Sequence, residues 1–196
     1  DFIPNSVQLG GDKPPLMLVM EMCSGGSLNG YLEKNSGRTR MGRKVRLCLD
    51  CAEGMEYLAM EKNCIHRDLA ARNVLLGAKL EAKIADFGLT KQGSYQMEGR
   101  GGGAVPIRWT APEAIVTGRF SKETDVWSFA VLCWEVLADG GQPWPGKSPP
   151  EAYKAAKSGQ KMPTPQGTPT LLEALLHRCW DLNASARPNK IGRAHV

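Results

Sequence analysis

No apolar run in this sequence reaches bilayer length. The longest, Val126 to Ala138, is interrupted by Glu135 and falls short of the ~20 residues that a spanning helix needs. Nor is there a paired zinc pattern. Of the six cysteines (Cys23, Cys48, Cys51, Cys64, Cys133, Cys179), only Cys48 and Cys51 form a CxxC, with no second pair to complete four ligands. Both fall inside a helical pattern and most of the others in apolar runs, where free cysteine packs as a small hydrophobe. A reduced, intracellular setting is expected. Charge of one sign is in short supply: 25 Lys and Arg against 20 Asp and Glu leave +5, too mild to argue for nucleic acid or a membrane surface. Internal repeats and a signal-peptide pattern are also absent. The first residue is Asp1 rather than Met, and the chain reads as a fragment.

What is present is globular. The 196 residues are 42% hydrophobic and 23% charged, enough for one domain, or a domain with part of another, around a real core. Leu16–Met22 (LMLVMEM) reads as a short buried strand, between Pro14–Pro15 and the turn formers Ser24–Gly25–Gly26. Val45, Cys48, Leu49, Ala52, Met55 and Ala59 fall at helical spacing. Val74–Leu76 and Lys83–Ile84 read as two short strands around a turn at Gly77. Four glycines between Gly99 and Gly103 predict a flexible loop. A strongly apolar helix carries Val126, Phe129, Ala130, Cys133, Val136 and Leu137. Ser148-Pro149-Pro150-Glu151 has the form of a capping box, and Leu171, Leu172, Leu175, Leu176 and Cys179 give one more amphipathic helix. The fold class expected is α+β, a mostly helical body with a few short strands.

The chemistry concentrates in three segments. His66-Arg67-Asp68-Leu69-Ala70-Ala71-Arg72-Asn73 comes first. Asp86-Phe87-Gly88 begins thirteen residues after Asn73, and Ala111-Pro112-Glu113 follows. With these motifs in this order and at these distances, the chain resembles the protein kinase family over roughly residues 3–189. HRDLAARN and the stretch Pro106-Ile107-Arg108-Trp109-Thr110-Ala111-Pro112-Glu113 resemble the tyrosine kinases. Serine/threonine kinases usually carry Lys two residues after the HRD aspartate, where this chain has Ala70. HRDLAARN also departs from the Src-type HRDLRAAN.

The resemblance implies a protein-kinase-like fold and transfer of the ATP γ-phosphate to tyrosine hydroxyls of protein substrates, with Mg²⁺. Phosphoryl transfer needs positioning and charge neutralisation more than covalent help. Asp68 then matches the catalytic base. Arg72, otherwise a solvated arginine, lies near the substrate hydroxyl. Asn73 and Asp86 match the metal ligands, being the hard oxygen donors that Mg²⁺ takes. His66 braces the loop, and Arg67 is the receiver for an activation-loop phosphate. Met20, Glu21, Met22 and Cys23 resemble the hinge that holds adenine, with Met20 as gatekeeper or simply a buried strand end. Leu75 and Ala85 match pocket-lining positions and would look the same as core residues. Glu113 and Arg187 match a buried ion pair. Asp125, opening the Val126–Leu137 helix, matches a cap beneath the catalytic loop and is also a favourable helix-start charge. Pro106, Ile107, Arg108 and Trp109 form the substrate platform. Tyr95, between DFG and APE, is either the regulatory phosphorylation site or a loop tyrosine without a role. Arg38, Arg40, Arg43, Lys44 and Arg46 read as a solvated helix entrance.

The family's GxGxxGxV loop and VAIK lysine do not occur in these 196 residues. Ile3-Pro4-Asn5-Ser6-Val7-Gln8-Leu9 resembles the HPNIVQL segment that precedes the hinge strand. The division expected is 1–23 for the end of the N-lobe and hinge, 24–189 for the C-lobe, and 190–196 for a non-native tail. On that reading the chain alone is inactive. A competing reading is a non-catalytic interaction module on a degraded kinase fold, which commonly loses the HRD or DFG aspartate; this chain keeps both. A cytoplasmic kinase domain is expected, and any membrane attachment of the parent would lie outside these residues.

Overall fold

The computed structural model describes residues 17, 19–96 and 105–189. The segment 3–9, the glycine loop 99–103 and the tail 190–196 lie outside the described residues.

The fold is built around one helix. The helix α4 (Lys122–Leu137) is buried at every residue from Thr124 to Leu137, as an apolar sequence on all faces requires. Ser121 and Thr124 close a capping box at its start, so the helix begins three residues before Asp125 instead of at it. Around it pack the helices α2 (Met41–Met60) and α6 (Thr170–Cys179). Two shorter helices, α1 (Leu28–Lys34) and α3 (Pro112–Thr117), flank the loops, and α3 contacts α5 (Pro149–Lys157). The Ser148–Glu151 capping box opens α5 as the sequence predicts. Helix α3 ends at Gly118, whose φ of +67° is one that a side chain would resist.

The strands are short and pair in three small antiparallel sheets. Strands β1 (Gly26–Ser27), β3 (Val74–Leu76) and β4 (Ala82–Ile84) form one sheet, with Ser27 opposite Leu75 and Leu75 opposite Lys83. Strand β2 (Cys64–Ile65) pairs with β5 (Lys91–Gln92), and β6 (Tyr95–Gln96) with β7 (Arg119–Phe120). Gly25 leads into the first sheet with its N–H on Leu76 O at 2.8 Å, and a Cβ there would meet that of Leu76 at 2.6 Å.

Four expectations are corrected. Met17, Val19, Met20 and Met22 are not in a strand and are exposed, Met20 by 68%. No strand among the described residues pairs with them, and an apolar run without ladder partners or a covering layer has nothing to bury against. The buried stripe of α2 runs through Lys44, Leu47, Cys48, Cys51, Ala52 and Met55, leaving Leu49 exposed and Val45 half-buried. The cause is Lys44, which is no solvated charge: its Nζ reaches through the core to Leu137 O and to Asp139, both at 2.8 Å. Arg43 likewise donates to Leu80 O. On α6, Leu171 faces out while Leu176 and Cys179 carry the packing. All six cysteines are free thiols, with Cys48, Cys51, Cys133 and Cys179 buried; burial pushes the Cys51 and Cys133 thiols up in pKa.

Candidate active site

The segment from His66 to Asn73 leaves β2 and ends in a single 3-10 turn, Ala71–Asn73, which leads directly into β3. Its shape is fixed from below by α4. Asp125 accepts the main-chain N–H of His66 at 2.6 Å on Oδ2 and that of Arg67 at 3.0 Å on Oδ1. Burial raises the Asp125 pKa, and these two N–H donors oppose the rise. The bonds also hold Arg67 at φ +74°, a strained value for a residue that carries a Cβ.

His66 is fully buried. A carbonyl can only accept, so its Nε2–H donates to Ala85 O at 2.9 Å, while Nδ1 faces the Asp68 N–H at 3.4 Å. The imidazole joins the loop to the residue before Asp86. Its ring also meets Phe87 edge-on at 5.6 Å between centroids.

Asp68 is gripped from two sides. Arg72 donates to Oδ1 and Asn73 Nδ2 donates to Oδ2 at 2.8 Å. The same Nδ2 donates to Asp68 O at 2.7 Å, so both amide hydrogens are used. The Asn73 side-chain oxygen, the other prong of the planar amide, is not used in either bond. The Ala85 N–H donates to Asn73 O at 2.9 Å, bringing Asp86 beside Asn73. Asp86 is exposed, sits in the left-handed region at φ +57°, and spends only a 3.3 Å acceptor contact on Gly88 N. These two side chains offer hard oxygen donors. Mg²⁺ is usually held by one or two carboxylates together with waters and substrate phosphates, not by a dedicated protein cage. That donor set fits, and among the described residues no group of three or more His, Cys, Asp or Glu forms such a cage.

The stretch 106–109 folds against the loop. Pro106 O accepts from Trp109 N at 2.9 Å and Thr110 N at 3.2 Å, making a tight turn. Pro106, Ile107 and Trp109 are half-buried. The Arg72 guanidinium lies over the Trp109 ring, 4.7 Å from its centroid. Arg108 differs from expectation: it points inward, donating to Pro143 O at 2.8 Å and Trp144 O at 3.3 Å. It anchors the turn to loop 143–147 and adds nothing to the outward surface.

Glu113 and Arg187 pair with both forks engaged, at 2.6 and 3.0 Å. The Arg187 side chain is fully buried and also donates to Asp181 O and Glu123 O. Leu75 lies on the sheet face opposite buried Val74 and Leu76 and is half-exposed, as is Ala85. In the 20–23 segment, Glu21 pairs with Lys83 at 2.5 Å and Cys23 is half-buried. Tyr95 sits in β6 opposite Phe120, and its ring stacks under the Arg67 guanidinium at 4.1 Å.

One buried carboxylate was not singled out by the motifs. Glu135 Oε2 accepts from Ala71 N at 3.0 Å and from Trp109 Nε1 at 2.9 Å. Burial raises its pKa to about 7 against these donors and Arg72. The signal in the sequence is the lone acid in the apolar run Val126 to Ala138.

The model of the protein tyrosine and serine/threonine kinase family matches residues 4–191. The chain is 41% identical over 191 residues to the tyrosine-protein kinase Fer of Rattus norvegicus, covering 94% of this chain and 23% of that protein. It is 39% identical over 198 residues to the transforming tyrosine-protein kinase Fps of avian sarcoma virus PRCII (98% and 37%). It is 38% identical over 194 residues to ephrin type-A receptor 3 of Danio rerio (94% and 19%). The chain thus spans between about a fifth and two fifths of the length of these relatives. On the motifs, the α+β architecture and the family match together, the chain belongs to the protein tyrosine and serine/threonine kinase family.

Proposed function

We propose that this chain supplies the catalytic and peptide-binding lobe of a protein tyrosine kinase, with 24–189 as the C-lobe and 1–23 as the hinge and end of the N-lobe. The reaction is transfer of the ATP γ-phosphate to a tyrosine hydroxyl of a protein substrate. The observation that carries this reading is the triangle of Asp68, Arg72 and Trp109. Arg72 bonds the Asp68 carboxylate and stacks on the platform tryptophan, so one arginine sets the distance between the proton acceptor and the surface on which a phenol would lie.

Asp68, held by Arg72 and Asn73, faces the substrate hydroxyl and accepts its proton as the phosphate arrives. Asn73 and Asp86 would hold Mg²⁺, which would neutralise charge on the ATP phosphates when bound. His66 keeps Ala85, and with it Asp86, fixed to the loop. Pro106, Ile107 and Trp109 bear the substrate chain, while Leu75 and Ala85, with the backbone of 20–23, bound the adenine. In this reading Met20 gains its gatekeeper position only when strands of the N-lobe cover it.

Tyr95 is the regulatory site. Arg67 Nε is buried without an acceptor, directly beneath the ring that a phosphate would extend, and a phosphotyrosine would give that guanidinium an anionic partner. The family's general use of ATP and a divalent metal, the six free thiols and the absence of any helix long and apolar enough to cross a membrane among the described residues fit a cytoplasmic catalytic domain.

The test uses the completed kinase domain, this chain joined to an N-terminal lobe carrying the glycine loop and strand lysine. With ATP and Mg²⁺ it should phosphorylate a tyrosine peptide at least a hundredfold faster than the serine and threonine versions. Equal rates on all three would reject the tyrosine assignment.

A further inference from the structure

Beyond the capping Thr124, three polar side chains interrupt the buried face of α4 at intervals of three and seven residues, which places them on one side of the helix. Asp125 holds His66 and Arg67. Ser128 Oγ donates to Trp109 O at 2.8 Å. Glu135 holds Ala71 and Trp109 through a single oxygen. The first serves the loop and the second the platform. Glu135 serves both.

We propose that Glu135 is a positioning residue for the peptide tyrosine: its Oε2 ties the catalytic loop at Ala71 to the platform at Trp109, so that Asp68 and the substrate surface keep one separation. This rests on the tyrosine kinase reading. Ala71 precedes Arg72, and Trp109 is the ring on which Arg72 stacks, so the network closes into a ring of Glu135, Ala71, Arg72 and Trp109. A shift of either segment stretches a bond to the same oxygen. A buried carboxylate among apolar neighbours is costly to keep unless its bonds are used. The charged groups on the elements around α4 are otherwise engaged: Lys44 at Leu137 O and Asp139, Arg187 at Glu113, the Arg67 guanidinium at Leu89 O, and Asp125 at the main-chain N–H groups of His66 and Arg67. Arg72 remains as the cation whose field reaches Glu135.

The experiment is steady-state kinetics of the completed kinase domain with Glu135→Met, Trp109→Phe and Glu135→Gln. Glu135→Met keeps the volume and removes the acceptor; Trp109→Phe keeps a ring and removes the donor. Both should raise the peptide KM roughly tenfold, the cost of a lost bond to a charged group, with the ATP KM within about twofold of wild type. Glu135→Gln retains an oxygen that can accept both bonds and should recover most of the peptide KM. A Glu135→Met enzyme with both KM values unchanged and only a smaller active fraction would overturn the inference. A second measurement covers a variant that fails to fold, or a wild type without activity. In the wild-type domain the Trp109 indole N–H resonance, assigned with Trp109→Phe, should be protected from exchange and should shift between pH 5 and 8, and Glu135→Gln should abolish the shift. A rapidly exchanging, pH-indifferent indole would overturn the inference. An inactive wild type with the expected indole behaviour would count against the kinase reading and leave the tie standing.

Discussion

The Arg67 guanidinium lies between two rings, 4.1 Å over Tyr95 and 4.8 Å over Phe120. Its NH1 donates to Leu89 O, and its Nε has no acceptor. Tyr95 is thus held in β6 by stacking and strand pairing, close in sequence to the glycines that predict a flexible loop. Phosphorylation would exchange a cation–π contact for a charge-assisted pair, which is the stronger interaction.

Tyr95→Phe keeps the stacking ring and removes the phosphate acceptor. In the completed kinase domain, preincubation with ATP should activate the wild type and leave the variant at its starting rate. Equal activation of the two, measured as initial rates on a tyrosine peptide, would remove Tyr95 from the switch.

Arg187→Ala should destabilise the domain by about 3–5 kcal/mol, since it leaves a half-buried Glu113 without its partner and two carbonyls without a donor. Urea denaturation gives the number. A loss under about 1 kcal/mol would show that the pair behaves as a surface bridge.

Glu135 sets a pH signature on stability. Its carboxyl titrates near 7 in the fold against an ordinary 4.5, so the native state binds the proton more tightly than the unfolded one. Its contribution is full below pH 4.5 and is lost as pH rises through 7, amounting to on the order of 3 kcal/mol at about 1.4 kcal/mol per pH unit. Stability measured from pH 4.5 to 7.5 should fall more steeply in the wild type than in Glu135→Gln. Parallel profiles would contradict this.

Local periodicity carried the long elements. It gave α2, α4, α5 and the β3–β4 pair, because helix spacing and a capping box are written within a few residues. It did not give which flank of α2 is buried, because Lys44 owes its position to Leu137 and Asp139 nearly a hundred residues away. The 16–22 run reads as a strand in composition, yet a strand exists only through partners that sequence alone cannot supply. Within the site, motif order named Asp68, Arg72, Asn73 and Asp86, and the fold brings them to one loop system. The inward turn of Arg108 and the tie made by Glu135 were not legible, since each depends on which distant segment packs against it.

The central claim is that Asp68 accepts the proton of a substrate tyrosine. The most direct measurement is single-turnover phosphorylation of a tyrosine peptide by the completed kinase domain and its Asp68→Asn variant, alongside ATP binding by each. The variant keeps the shape and one acceptor oxygen, so one of the two bonds from Arg72 and Asn73 survives, but it loses the base; the rate should fall by about 10²–10⁴-fold while the ATP Kd stays within about twofold. A variant that transfers phosphate at a rate near wild type would contradict the account.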